Sequence, residues 1–271
     1  MPTPLPSILL AGCGKMGSAM VQGWLAGGLA PSVVLDRHLS DLPAPHRVVR
    51  AVADIPAGFV PDVIVLAVKP QKADGVLAEL AARYPQATVL SVMAGRTVAS
   101  LEAAFAAGAT ATQPTIIRAM PNTPSLLGAG MCGLYAPPTA TAEQKQHCDS
   151  LMRAVGETVW VERESLIDAV TGVSGSGPAY VFLLAELLEK AGQAQGLPAP
   201  VARTLAREVI YGAGRMLHEL PTDAEELRRN VTSPGGTTAA ALAVLMQPEA
   251  WPRITTDAVA AAVNRAGELA G

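Results

Sequence analysis

The chain has 271 residues, half of them hydrophobic, with a mean hydropathy of +0.31 and a formal net charge of −3. That is enough for an ample core in one large domain or two, and its scattered Lys and Arg form no basic face for a nucleic acid. Cys13, Cys132 and Cys148 and the four histidines lack metal-ligand spacing, and no basic stretch opens the chain, so a cytoplasmic protein without structural metal or signal peptide is expected.

Residues 7–11 read as a short apolar strand, followed at once by G-C-G-K-M-G, which sets Gly12, Gly14 and Gly17 in G-x-G-x-x-G spacing. Such glycines permit a tight turn, close approach of a pyrophosphate to backbone N–H groups, and close packing of the helix expected over 16–25. A second strand over 32–35 ends at Asp36, 19 positions beyond Gly17, near the place of the acidic residue that bonds a ribose hydroxyl. Arg37 suits the 2′-phosphate of NADP, which Asp36 would repel, so the two signals conflict.

Residues 63–68 read as a buried parallel strand ending at Lys69, Pro70 and Gln71. A strand over 88–92 ends at Met93, Ala94 and Gly95, and one over 116–120 leads into Pro121, Asn122 and Thr123. Loops leaving the carboxyl ends of parallel strands line the ligand crevice. A helix over 142–155 and a last strand over 158–161 complete this part.

From Glu162 onward only helices are expected, over about 178–192, 199–217 and 254–269. Residues 179–185 are apolar on every face, as in a helix buried on all sides, and a homodimer is the expected means of burying them. The uncharged runs 119–142, 169–185 and 230–248 contain Pro, Gly, Ser and Thr, and point to an occluded site or subunit interface rather than a membrane span. Within the last run, N-V-T-S-P-G-G-T-T over 230–238 has the small, uncharged residues of a binding loop. Thr237 or Thr238 is the expected N-cap of the helix that follows, whose first-turn amides suit an anion.

The segments G-C-G-K-M-G, A-V-K-P-Q, R-A-M-P-N-T-P, T-G-V-S-G-S-G-P-A-Y and N-V-T-S-P-G-G-T-T, in this order, resemble the pyrroline-5-carboxylate reductase family over nearly the whole chain. The resemblance implies an α/β protein with a Rossmann-type dinucleotide-binding domain over 1–162 and an all-helical dimerisation and substrate domain over 163–271. It implies reduction of pyrroline-5-carboxylate to L-proline, with NADP(H) preferred and NAD(H) as the alternative, in a dimer often assembled into a decamer.

Position by position, the resemblance implies Gly12, Cys13, Gly14, Lys15, Met16 and Gly17 at the cofactor phosphates. Ala67, Val68, Lys69 and Pro70 fall on the ribose and nicotinamide side, and Asn230 also on the cofactor. Ser233, Thr237 and Thr238 fall at the substrate carboxylate, with Glu164 near the substrate. Asp36, Arg37, Asp54, Met93, Ala94 and Asn122 complete the expected cofactor set. Asp36 departs from the phosphate-tolerant residue common there, and Asp54 from the Asn often beside the adenosine. The alternative is a β-hydroxyacid dehydrogenase, whose G-x-x-G-x-G-x-x-x-K loop is matched at Gly172, Gly175 and Gly177. Val181 stands at the Lys position, which removes the acid/base group that chemistry needs. A non-catalytic dinucleotide-binding protein would not need the loop at 230–238.

Overall fold

Alternation along the first strand divides the core in two. In the computed structural model, which describes residues 5–69, 73–107 and 114–270, β1 (Ile8–Ala11) is buried throughout. Leu9 and Ala11 join an apolar cluster on one face of a sheet, and Ile8 and Leu10 join a second cluster on the other. A strand buried on both faces belongs in a parallel sheet covered by helices on each side.

The chain continues through α1 (Lys15–Ala26), β2 (Val33–Leu35), β3 (Arg47–Val49), β4 (Val63–Leu66), α2 (Ala73–Arg83), β5 (Thr88–Ser91) and α3 (Val98–Ala106). Then come β6 (Thr115–Met120), β7 (Gly130–Tyr135), α4 (Ala142–Arg153), β8 (Gly156–Trp160) and α5 (Leu166–Val170). Among the described residues the sheet has eight strands in the order β3-β2-β1-β4-β5-β6-β7-β8, with neighbours parallel except β6 and β7. Because β2 lies on one side of β1 and β4 on the other, the strand order reverses there, and the crevice beyond their carboxyl ends is where such sheets take ligands.

Helices α2 and α3 cover one face with Leu77, Leu80, Leu101 and Phe105, while α1 and α4 cover the other with Met20, Trp24, Leu151 and Met152. Trp24 Nε1–H donates to the Leu151 carbonyl at 2.7 Å, a last-turn carbonyl of α4 that lacks an intrahelical partner. Gly23 permits this approach, since a Cβ there would lie 2.4 Å from Val155.

Two strands go beyond the sequence expectation. β3 and β7 were not anticipated, and β4 and β5 stop at Leu66 and Ser91 rather than at 68 and 92. β7 is rich in glycine, and its strand character comes from pairing with β6 and β8.

Backbone contacts group Met1–Gly175 with Ala262–Gly271 in one compact unit and Ser176–Ala261 in another. The boundary expected at 162/163 therefore precedes a short stretch that stays with the sheet: Val170 of α5 occupies the space that a side chain at Gly133 would need. After α5 the backbone makes a π-helical turn over Thr171–Gly175.

The second unit is helical: α6 (Gly177–Ala194), α7 (Ala199–Glu219), α8 (Ala224–Asn230), α9 (Thr237–Leu245) and the greater part of α10 (Trp251–Ala270). The short α8 was not expected. α6 and α7 form a hairpin closed by Leu197 N–H on the Gly192 carbonyl at 3.1 Å. No residue of α6 is buried in the single chain, and Phe182 is 65% exposed. Among the described residues no helix is long and apolar enough to cross a membrane.

Trp24→Phe keeps an aromatic ring of smaller size but removes the indole N–H and strands the Leu151 carbonyl beneath α1. Urea unfolding is expected to show a loss of about 1–3 kcal/mol, the usual effect of leaving a buried polar group unpaired.

Candidate active site

The glycine loop is shaped by its neighbours. Gly12 has φ +89, and a Cβ there would lie 2.9 Å from the Ala67 backbone and 2.8 Å from Val68. Gly17 has no room either, since its Cβ would meet the Gly12 carbonyl oxygen at 2.6 Å. At Gly14, by contrast, an added Cβ meets nothing within 4 Å, so this residue faces open space as the N-cap of α1. The first-turn amides, including those of Lys15 and Met16, have no intrahelical acceptor and suit an anion.

Asp36 anchors this loop. Its Oδ2 accepts from Cys13 N–H at 2.8 Å, and its Oδ1 accepts from His38 and Leu39 N–H at 2.7 and 2.9 Å. Burial pushes the carboxyl up, but these three donors outweigh it and hold the pKa below the ordinary value. The sequence expectation gave Asp36 to a ribose hydroxyl; both of its oxygens also serve the backbone. Arg37 next to it is exposed, and Arg50 Nη1 donates to the Asp36 carbonyl at 2.6 Å. Asp54 is likewise engaged locally, accepting from Ala51 N–H at 3.1 Å.

Ala67 N–H donates to the Ala11 carbonyl at 2.8 Å, which brings Ala67 and Val68 beside the glycine loop. Lys69 is exposed at the end of this run, and Pro70 lies outside the described residues. In the loop after β5, Met93 is buried and Ala94 exposed. Gly95 has φ +72, and a Cβ there would lie 2.7 Å from the Leu269 carbonyl oxygen. Arg96 crosses to Asp74 at the start of α2, 2.9 Å away, and so joins the segments that follow β4 and β5.

Glu164 and Asn122 also face inward. Glu164 Oε1 accepts from Val98 N–H at 2.7 Å and from Arg118 Nη1 at 2.9 Å, Arg118 being buried in β6. That engages Glu164, expected near the substrate, as counter-charge to a buried arginine. Asn122, expected on the cofactor, accepts from Met131 N–H and donates to the Ser174 carbonyl, both at 2.9 Å. The buried arginine was missed; its signal was one charge inside T-I-I-R-A-M, a run otherwise readable as a buried strand.

In the helical unit, Asn230 is exposed and ends α8. Residues 233–236 form a turn closed by Gly236 N–H on the Ser233 carbonyl at 3.0 Å, with Gly235 at φ +70. Pro234 and Gly235 are the central residues a type II turn requires. Gly236, not either threonine, is the N-cap of α9, and Thr237 and Thr238 are its first two residues. Both threonines thus belong to a first turn whose amides have no intrahelical acceptor. Ser233 and Thr237 are exposed and Thr238 is half-buried.

Comparison with known proteins assigns both parts of the chain. Residues 164–269 match the family described as pyrroline-5-carboxylate reductase dimerisation, and residues 7–95 match NADP oxidoreductase, coenzyme F420-dependent. A pyrroline-5-carboxylate reductase of Pseudomonas aeruginosa is 38% identical over 98% of this chain and 97% of its own length. The chain belongs to the pyrroline-5-carboxylate reductase family. The solved family member from Coxiella burnetii is 36% identical, with a TM-score of 0.87 over 97% of this chain and 98% of its own. The Plasmodium falciparum member, solved with NADP bound, is 26% identical, with a TM-score of 0.82 over 99% of this chain and all of its own.

The Asp36 anchor sets an expectation for acid. With a native pKa below the ordinary value, its contribution is complete above the ordinary carboxylate range and fades as pH falls through the native value. Asp36→Ala is expected to lower stability by about 1–3 kcal/mol at pH 7, as for lost hydrogen bonds to a charged group. Thermal melts of variant and wild type are expected to converge as the carboxyl titrates.

Proposed function

We propose that the glycine loop and the loop before α9 divide the reduction of pyrroline-5-carboxylate to L-proline, the last step of proline biosynthesis, which this NAD(P)H-dependent chain catalyses. In this reading residues 1–162 are the dinucleotide-binding domain and residues 163–271 the dimerisation and substrate domain. The carrying observation is the uncharged turn at 233–236, which leads directly into the first turn of α9, where Thr237, Thr238 and amides without an intrahelical acceptor lie together.

Gly12, Cys13, Gly14, Lys15, Met16 and Gly17 hold the cofactor phosphates, which the open space at Gly14 accommodates. Ala67, Val68, Lys69, Pro70, Met93 and Ala94 lie along the ribose and nicotinamide side, and Asn230 completes the set. When bound, the cofactor supplies the hydride. Ser233 and Thr237, with the α9 amides, hold the substrate carboxylate, and Thr238 orients the ring nitrogen. A protonated imine needs orientation more than a strong acid, so an uncharged loop suffices.

NADP(H) is the preferred cofactor in this reading, because three backbone donors hold the Asp36 charge while the adjacent Arg37 is exposed. The free thiols Cys13, Cys132 and Cys148 suit a cytoplasmic setting. The chain is a homo-oligomer, and the unburied α6 supports an interwoven homodimer that can build a decamer.

The decisive assay follows NADPH absorbance on adding pyrroline-5-carboxylate; no fall in absorbance refutes the reaction. Thr238→Ala is expected to lower kcat/KM for the imine by about one to three powers of ten with NADPH affinity nearly unchanged. Wild-type kinetics with a lowered Tm would reduce Thr238 to a helix-end residue. Arg37→Ala is expected to raise KM for NADPH more than for NADH, and equal effects on both would remove the 2′-phosphate role. Light scattering at micromolar concentration is expected to give at least a dimer, and a well-folded monomer would refute the interwoven assembly.

A further inference from the structure

In a doubly wound sheet the residue at the carboxyl end of the second strand meets the adenosine ribose, and a cation near it accommodates a 2′-phosphate. Asp36 occupies that place, directly after β2. The glycine loop beside it fits a dinucleotide, because Gly12 and Gly17 leave no room for side chains while Gly14 opens on free space. Spacing along the chain points to Arg37 as the cation. The third strand supplies another.

β3 runs parallel to β2 with Leu35 opposite Val49, and Asp36 N–H extends this pairing by donating to the Val49 carbonyl at 3.1 Å. Arg50 therefore comes level with Asp36 at the same end of the sheet, although 14 positions separate them. Its Nη1 donates to the Asp36 carbonyl at 2.6 Å, which holds the guanidinium at the end of β2. That bond uses one of five guanidinium N–H donors. Arg50 is exposed and forms no ion pair among the described residues, so its charge and its other donors remain available.

The adjacent acid is engaged elsewhere. Asp36 Oδ2 takes Cys13 N–H, and Oδ1 takes the N–H groups of His38 and Leu39. One residue thus gives its side chain to the glycine loop and the turn after β2, and its carbonyl to Arg50.

We infer that Arg50 is a specificity-determining residue for the cofactor: held on the Asp36 carbonyl, its guanidinium receives the ribose 2′-phosphate and so favours NADP(H) over NAD(H). This role deepens the NADP(H) preference proposed above and rests on it. Arg37 acts beside Arg50, but the two cations are not equally prepared. Arg37 is exposed, and among the described residues no hydrogen bond or ion pair fixes its side chain. Immobilising a long side chain on binding costs conformational entropy, so a guanidinium already held in place loses less. Its planar fork also suits a phosphate, which it can meet with two parallel bonds.

The test is calorimetric binding to the whole chain, without turnover. Arg50→Ala is expected to weaken NADP+ about ten- to a hundredfold, the range for hydrogen bonds to a charged group, with NAD+ affinity nearly unchanged. Adenosine 2′,5′-bisphosphate should lose affinity to the same degree, and AMP should not. Arg50→Lys keeps the charge without the fork and should fall between wild type and Arg50→Ala. Added salt should narrow the gap between wild type and Arg50→Ala for NADP+. Should Arg50→Ala not fold, Arg50→Gln, which keeps a donor for the Asp36 carbonyl but no charge, decides by the same comparison.

A purely structural Arg50 would support the end of β2 for either dinucleotide, so equal weakening of NADP+ and NAD+ would overturn the inference. Unchanged NADP+ binding would overturn it as well. A loss of NADP+ affinity confined to Arg37→Ala would remove Arg50 from the site and leave the cofactor preference standing. A wild type that binds NADP+ no tighter than NAD+ would refute the preference itself, and the role of Arg50 with it.

Discussion

A guanidinium buried within a mixed sheet needs a counter-charge, and this requirement sets the path of the chain after its last strand. Arg118 in β6 is 5% exposed, and Glu164 is its ion-pair partner among the described residues. Leaving such a charge uncompensated would be strongly destabilising, whereas the pair itself need contribute little net stability. Glu164 must therefore return from the end of β8 to the middle of the sheet. On arrival its Oε1 also takes the Val98 N–H, so the same carboxylate pins the start of α3. The chain that leaves Glu164 continues through α5 and the π-helical turn to the helical unit.

Around that route the crevice is built from side chains that serve the protein's own backbone. Asp36 fixes the glycine loop to the end of β2, Arg96 joins the segments after β4 and β5, and Asn122 joins those around β6, β7 and the π-helical turn. Each is polar, sits near a strand end, and joins segments that are apart in sequence. The groups left for ligands are then mostly backbone amides and small hydroxyls, which need this external support because they carry no bulk of their own.

The division between what the sequence revealed and what it concealed follows the range of the interactions. The glycine loop, the apolar strand at β4 and the Pro-Gly pair at 234–235 are local chemistry, legible from neighbouring residues. Strand β7 escaped because Gly130 and Gly133 have little strand preference alone; they suit close packing against Val155 and Val170, which lie far off in sequence. Asp36, Glu164 and Asn122 were expected beside cofactor or substrate, and their bonds to Cys13, Arg118 and Ser174 span 23 to 52 positions, beyond what local spacing can reveal. The N-cap of α9 was misplaced by a residue because the turn at 233–236 leaves Gly236 extended, a choice hidden between two permissive glycines.

In the homodimer proposed above, the unburied apolar side chains of α6 make folding of the helical unit a matter of mass action. A free-energy gain obtained only on meeting another chain grows with the logarithm of chain concentration, so stability cannot be quoted for one molecule alone. Newly made, dilute chains spend longest in the form that leaves Phe182 and Leu187 in water. For those chains the rate of finding a partner competes directly with proteolysis and aggregation, and expression level itself becomes a determinant of how much folded protein survives.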